Sequence, residues 1–299
     1  MKIVVMGAGS IGSLFGGFLS KKYNTTLIGR KPHVDAINLN GLKISGKTNC
    51  VFYPKAFDSI AKINFKPDLI IITVKAYQTE NAIKDTLQII GSNTSIVSIQ
   101  NGLGNIEKIE KFISNKEKIF AGITSHGVTF SEPGKIYHAG TGDTIIGGYK
   151  AEKIAKIFKS VGIKTKVSKN IEKDIWTKAI INAGINPITA ITGLNNGYIL
   201  KIPGLSKILE LTCKEGIEVA NAYGIKLKDE IIEKAKEVVK LTAENKSSML
   251  QDIINGKKTE IENINGMLVS LGEKKNIATP INATLTALVK GIEATITSS

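Results

Sequence analysis

The amino-acid sequence predicts an α/β domain followed by an all-helical domain, and three observations carry that prediction. Short β-rich runs alternate with helical ones through the first half. Two of those runs are apolar almost without a break. From residue 171 onward nearly every segment has helical period. The first domain is expected over residues 1–168 and the second over residues 169–299.

In chain order, "KIVVMG", "NTTLIGR", "DLIIITVK" and "TSIVSIQNG" read as strands that end in turn or polar residues. Within them "IVVM" and "LIIITV" have the pattern of parallel strands buried on both faces. Helical segments at 79–90 and 104–113 fall between strands, so a right-handed βαβ sheet is expected. Residues 118–148 contain "KIFAGITSHGVTF", "GKIYHAG" and "DTIIGG", with "EPG" as a turn, and are expected to extend the same sheet antiparallel. "AEKIAKIFKSVG" places apolar residues at 154, 157, 158 and 161, one helical face, and "KTKVSK" closes the domain near residue 168. Breaks at "GLNNG", "YGIK", "NGKK" and "EKKN" divide the helical half.

Composition narrows the function. A chain of 299 residues with 42% apolar content suits a soluble globular protein of two domains. The net charge of +14 raises the question of nucleic acid. Its lysines, however, run in step with glutamates, as in "EKIEKFISNKEK" and "KDEIIEKAKEVVKL", and no basic run is interleaved with aromatics. Such faces are solvated, and no nucleic-acid partner is expected; the positive field still favours anionic ligands. Cys50 and Cys213 follow no metal or redox spacing and read as packed, reduced thiols of a cytoplasmic protein. His33, His126 and His138 are scattered, so no metal is expected, and structural use is assigned to His126 and His138. Residues 179–200 carry no charge and are long enough to cross a bilayer, but Asn182, Asn186, Asn195, Asn196 and Pro187 make them too polar. No membrane association is expected.

"MKIVVMGAGSIGSLFGGFLSKK" has a basic start and an apolar stretch, like a signal peptide, but its glycines have a better explanation, in "VVMGAGSIGSLFGGFL". Gly7, Gly9 and Gly12 stand as G-x-G-x-x-G between a buried strand and a helix, with Ala8, Ser10 and Ile11 between them. The first glycine permits the tight turn, the second lets the backbone approach a pyrophosphate, and the third lets helix and strand pack closely. That is the Rossmann-type dinucleotide turn, and Gly7 through Gly12 are assigned to the cofactor. The second strand should end near the adenosine ribose, where an acid usually takes the 2′-hydroxyl of NAD. Here "LIGRKPH" has no acid and carries Arg30, the one arginine among 40 basic residues. A guanidinium grips phosphate with two parallel hydrogen bonds, which points to the 2′-phosphate of NADP(H).

In "IWTKAIINAGINPITAIT", residues 175–192, Lys178, Asn182 and Asn186 recur every fourth residue. Helical residues turn about 100° each, so the three form one narrow polar stripe on an apolar helix. Pro187 cannot donate to the carbonyl four residues back and should kink or loosen the helix. A polar stripe so placed needs internal partners or a ligand-filled site, and the pattern alone leaves both open.

"IWTKAIINAGINPITAITGLNNG", "ENKSSMLQDI" and "TEIENING" closely resemble the ketopantoate reductase family, and "VKAYQT" and "QNGLG" match further motifs of it. With the glycine turn, the resemblance covers nearly the full length. It implies a Rossmann domain followed by a helical domain, and NADPH-dependent reduction of 2-dehydropantoate to (R)-pantoate in pantothenate and coenzyme A biosynthesis. Carried over by motif, Lys178 matches the general acid and Glu260 the acid that hydrogen-bonds a substrate hydroxyl. Asn182, Asn186 and Asn196 match substrate-side asparagines, although Asn196 could equally form a turn. Ser248, the second serine of "NKSSML", matches a substrate-binding hydroxyl, and Asn245 is a weaker candidate that could instead cap a helix. Asn101 matches a residue contacting cofactor and substrate, and Lys75 and Gln78 match cofactor-contacting positions.

Family members often carry His where Gln100 stands, so Gln100 is assigned no role. Lys178 and Glu260, far apart in sequence, are expected to meet. Two other readings remain open: a reductase of another branched 2-oxo acid, and a module that senses NADPH without chemistry. The helical half could form a homodimer face, but no stripe in the sequence defines one.

Overall fold

The structure is a computed structural model, and it describes residues 1–297. The chain divides into two compact units. One comprises residues 1–100 and 105–171, the other residues 101–104 and 172–299.

The first unit carries twelve strands: β1 (Lys2–Met6), β2 (Asn24–Ile28), β3 (Leu42–Gly46), β4 (Cys50–Phe52), β5 (Lys55–Phe57), β6 (Leu69–Ile72), β7 (Ser95–Ser98), β8 (Ile119–Thr124), β9 (Gly127–Glu132), β10 (Lys135–Gly140), β11 (Thr144–Gly147) and β12 (Thr165–Val167). Its helices are α1 (Ser10–Ser20), α2 (Lys31–Asn40), α3 (Thr79–Thr86), α4 (Asn105–Glu110) and α5 (Glu152–Lys159). Eight strands form one sheet in the order β12-β11-β8-β7-β6-β1-β2-β5. From β5 to β8 every pairing is parallel.

The continuous apolar runs follow from this arrangement. Ile3, Val5, Leu69 and Ile71 pack on one face of the sheet with Leu14, Phe15 and Phe158 from the flanking helices. Their neighbours Val4, Met6, Ile70 and Ile72 pack on the other face with Ile83 and Ile109. Alternate residues thus enter two different cores, which is why residues 3–6 and 69–72 are apolar without a break.

Residues 118–148 do not form a single antiparallel extension. β8 continues the parallel run, and β11 pairs with it antiparallel. β9 and β10 leave for a separate four-stranded sheet, β4-β3-β10-β9. The cause is visible in side-chain alternation: Ile136 and His138 are buried, whereas Lys135 and Tyr137 are exposed. A strand with one wet face belongs in a one-sided sheet, not between two helical layers. Cys50, on the edge strand β4, is exposed rather than packed, while Cys213 is buried.

The second unit is helical: α6 (Ile171–Thr192, which begins at the last residue of the first unit), α7 (Tyr198–Lys201), α8 (Pro203–Ala222), α9 (Glu230–Leu241), α10 (Ser248–Ile254), α11 (Asn265–Glu273) and α12 (Pro280–Thr297). Its core gathers Trp176, Ile180, Leu209, Val219, Val239 and Leu268. Among the described residues no helix is long and apolar enough to cross a membrane.

α6 runs through Pro187 without a break, contrary to the loosening expected there. The carbonyl that Pro187 orphans is that of Ala183, and the buried Asn265 donates to it from Nδ2 at 3.1 Å. Asn265 Nδ2 also donates to Asn282 Oδ1 at 3.0 Å. Asn282 Nδ2 in turn donates to Glu215 Oε2 at 2.7 Å. The same carboxylate accepts the backbone N–H groups of Ile281 and Asn282 in the first turn of α12. One buried polar chain therefore ties α6, α8, α11 and α12 together, and it satisfies a proline gap and a helix N-terminus at once.

Asn265→Ala should cost about 1–3 kcal/mol, the price of an orphaned buried carbonyl. Adding Pro187→Ala, which restores an N–H to the helix, should recover part of that loss. Urea unfolding of the two single variants and the double variant measures the coupling.

Candidate active site

The glycine turn leaves β1 at Gly7, whose φ of +104° lies in the region that favours glycine. A side chain at Gly12 would collide with the carbonyl of Gly7, whereas one at Gly9 would meet nothing within 4 Å. Gly9 therefore borders open space, where a ligand can approach the backbone. Gly9 caps α1, and Ser13 N–H donates to its carbonyl at 2.8 Å. The N–H groups of Ser10, Ile11 and Gly12 precede that first helical bond and have no acceptor within the helix. Such a helix start favours an anionic group, and no acid stands in its first turn.

The remaining cofactor candidates follow neighbouring parallel strands. The N–H groups of Gly7 and Ala8 both donate to the carbonyl of Ile28, which ties the turn to the end of β2. Arg30 is exposed two residues further on and caps α2. After β6, Lys75 caps a short 3₁₀ turn, Ala76–Gln78, and Gln78 is exposed just before α3. These positions lie at the carboxyl ends of parallel strands, the edge at which open α/β sheets bind ligands. The open space at Gly9, the free N–H groups and the exposed guanidinium fit a dinucleotide phosphate chain.

Gln100 was given no role from sequence, yet it is fully engaged. Its Nε2 donates to the Val74 carbonyl and the Thr79 hydroxyl, each at 2.8 Å, and its Oε1 accepts from Ser98 Oγ at 2.9 Å. It fastens the Val74–Thr79 loop, which carries Lys75 and Gln78, to the end of β7.

In the second unit three distant segments converge. Lys178 lies on α6, half-buried, and its Nζ donates to Asn101 Oδ1 at 2.8 Å. Glu260 caps the 3₁₀ turn Ile261–Asn263 and is buried. Burial pushes the Lys178 ammonium down to about 8, and the negative charge of nearby Glu260 opposes that drop. Gly102 explains how Asn101 arrives. With φ +84° it lies against the Asn263 carbonyl, where any side chain would clash. Leu103 N–H donates to that same carbonyl, and its side chain is buried in the helical core. The 101–104 loop is thus pinned to the turn that begins at Glu260.

The stripe continues down α6 with Asn182, partly exposed, and Asn186, buried. One turn on, Thr189 donates to Ser247 Oγ at 2.7 Å, and Ser247 Oγ accepts from Leu250 N–H to cap α10. Ser247 is therefore the buried structural serine of the pair, and Ser248 beside it is exposed. Asn196 and Asn245 also meet: Asn196 N–H donates to the Asn245 carbonyl at 3.0 Å. Asn196 Nδ2 donates to Thr242 Oγ1 at 2.9 Å, while its Oδ1 is buried without a partner. Ser247, Thr189 and Asn263 escaped the sequence reading because capping and carbonyl contacts leave no periodic signal. Among the described residues no cluster of His, Cys, Asp and Glu could hold a metal ion.

A dinucleotide turn and a cationic lysine held near a carboxylate suit hydride transfer to a carbonyl with proton donation to its oxygen. That chemistry places the chain among the nicotinamide-dependent oxidoreductases. The family model described as "Ketopantoate reductase PanE/ApbA" matches residues 3–151, and its C-terminal counterpart matches residues 170–293. The chain belongs to the ketopantoate reductase family. It is 41% identical to a 2-dehydropantoate 2-reductase of Pyrococcus horikoshii, with 98% of each chain covered. A crystal structure of a PanE/ApbA family ketopantoate reductase from Ralstonia eutropha superposes with a TM-score of 0.93 at 28% identity, covering 99% of this chain and 100% of that one. A D-mandelate dehydrogenase solved with NADH and anilino(oxo)acetate superposes with a TM-score of 0.95 at 29% identity, covering 99% of both chains.

A lysine that donates a proton to the substrate must first carry it, and Lys178 is the candidate for that role. Activity in the reducing direction should therefore stay level below neutral pH and fall as pH rises past about 8, where the ammonium is lost. Glu260→Gln removes the charge that holds the ammonium up, so the falling limb should move to lower pH. A pH–rate profile of both proteins checks the sign; a limb that moves upward would contradict the electrostatics.

Proposed function

We propose that the chain reduces the C2 ketone of 2-dehydropantoate to (R)-pantoate with NADPH, a step of pantothenate and coenzyme A biosynthesis in the cytoplasm. The observation that carries this is Lys178, an ammonium near neutrality held by Asn101 and influenced by Glu260, in a chain of this family. Bound NADPH supplies the hydride. Lys178 Nζ holds the proton for the carbonyl oxygen and stabilises the negative charge that develops there. Asn101 Oδ1 accepts from Nζ and so directs the ammonium. Glu260 keeps the lysine charged and accepts a hydrogen bond from the substrate hydroxyl. Asn182, Asn186, Asn196, Asn245 and Ser248 are assigned to the substrate, and Lys75, Gln78 and Asn101 to the cofactor. Arg30 is assigned to the 2′-phosphate, which makes NADPH the preferred donor.

A second reading, reduction of another 2-oxo acid, has one observation in its favour. The D-mandelate dehydrogenase that superposes so closely was solved with a different oxo acid, anilino(oxo)acetate. A methyl group's worth of pocket shape discriminates by only about 1–3 kcal/mol, so substrates must be compared directly.

Purified protein given NADPH and a panel of 2-oxo acids should oxidise the nucleotide fastest with 2-dehydropantoate. Equal or faster turnover with an aryl oxo acid would favour the second reading. Lys178→Ala should lower kcat by roughly 10²–10⁴-fold while leaving the Kd for NADPH unchanged. Arg30→Ala should raise the KM for NADPH about ten- to a hundredfold, the worth of one charge-assisted contact, and leave that for NADH nearly unaltered.

A further inference from the structure

A buried histidine stands where the glycine turn meets the start of α2, and the reaction has no use for it. His33 is 3% exposed. Its Nδ1 lies 2.9 Å from the backbone N–H of Gly134, in the β9–β10 turn. Its Nε2 lies 3.0 Å from Ser13 Oγ, and Ser13 Oγ lies 3.3 Å from the carbonyl oxygen of Ala8. The backbone N–H of His33 donates to the Arg30 carbonyl at 3.0 Å, so the same residue belongs to the first turn of α2.

Donor and acceptor roles follow without ambiguity. A backbone N–H can only donate, so Nδ1 accepts. A neutral imidazole then carries its proton on Nε2 and gives it to Ser13 Oγ. The serine spends its own proton on Ala8. Burial pushes His33 down to about 4, so the ring is neutral at physiological pH. The Phe130 ring packs beside it at a centroid distance of 4.8 Å and fixes its orientation.

The Ala8–Gly9 peptide needs such a hold. Its rotation turns on ψ of Ala8 and φ of Gly9, and glycine is the residue with the least resistance to rotation. A side chain at Gly9 would meet nothing within 4 Å, so packing at that residue does not restrain it. On one side Gly9 N–H donates to the Gly7 carbonyl at 2.8 Å. On the other, the Ala8 carbonyl has Ser13. The peptide's N–H already points at the Gly7 carbonyl, so a flip would set two carbonyl oxygens against each other and displace the glycine turn from which α1 starts.

We propose that His33 is a positioning residue for the cofactor: acting through Ser13, it holds the Ala8–Gly9 peptide in the orientation that presents the start of α1 to the pyrophosphate. The proposal rests on the reading of this turn as the pyrophosphate site. It also separates the turn from Arg30 in function, because a pyrophosphate is common to NADPH and NADH and a 2′-phosphate is not.

The test is the Kd of NADPH and of NADH, by calorimetry, for wild type, Ser13→Ala, His33→Asn, His33→Gln and the Ser13→Ala/His33→Asn double variant, with Tm measured alongside. Asparagine retains an acceptor for Gly134 but is too short to reach Ser13; glutamine reaches Ser13. Ser13→Ala and His33→Asn should each weaken both nucleotides by about tenfold, the worth of one buried hydrogen bond, with the NADPH/NADH ratio unchanged. The double variant should be no weaker than either single one, and His33→Gln should bind as wild type even if its Tm falls. Additive losses overturn the proposal, as do Kd values at wild-type level in both Ser13→Ala and His33→Asn. Equal Kd losses in His33→Asn and His33→Gln that merely follow Tm overturn it too. Wild type that binds neither nucleotide would instead refute the reading of the turn.

Discussion

A half-buried ammonium is the constraint around which the second unit is organised. Taking Lys178 out of water lowers its affinity for a proton, and unopposed burial would lower it further. The carboxylate of Glu260 restores part of what burial removes, and Asn101 gives the charge a directed acceptor. The outcome is a lysine near 8: charged in most molecules at neutral pH, yet a far better proton donor than a solvated lysine. Neither full exposure nor full isolation would produce that value.

Holding such a group in place needs a helix that does not yield. α6 carries Lys178, Asn182 and Asn186, and it also carries Pro187, which deletes one of its hydrogen bonds. The amide of Asn265 fills that vacancy, and its link through Asn282 to Glu215 anchors the start of α12. The polar stripe is thus backed by a second polar network on another face of the same helix. The second runs from the Ala183 carbonyl to the start of α12. The network uses both donors of Asn265 on Ala183 and Asn282, while Asn265 Oδ1 is buried without a partner, so its hold on α6 comes from the amide nitrogen.

The strands of the parallel sheet were legible because burial on two faces leaves an unbroken apolar run, as in "IVVM". The stripe on α6 was legible because helical period puts every fourth residue on one side. β9 and β10 were legible as strands in "KIFAGITSHGVTF" and "GKIYHAG", but local pattern does not report which sheet a strand joins; β3 and β4, short and of mixed burial, were not read. Asn265 and Ser247 were illegible for a different reason. Each serves a backbone group far away in the chain, and nothing in local pattern reports such a debt. Gln100 shows the limit of reading by motif: a residue unlike its family counterpart still fastens the loop that bears Lys75 and Gln78.

The loop at residues 101–104 shows how few residues can join two kinds of structure. Asn101 follows β7 in the chain by three residues, yet it groups with the helices. Two glycines at positive φ bracket Leu103, and that side chain enters the helical core. The glycines supply the conformation, and the leucine supplies the burial that makes the conformation worth keeping. Burying one leucine is worth about 1.5–3 kcal/mol, comparable to the lost freedom of two glycines at roughly 1 kcal/mol each. The sequence "NGLG" is therefore more than a turn: its asparagine can orient the acid because its leucine holds the loop on the unit to which the acid belongs.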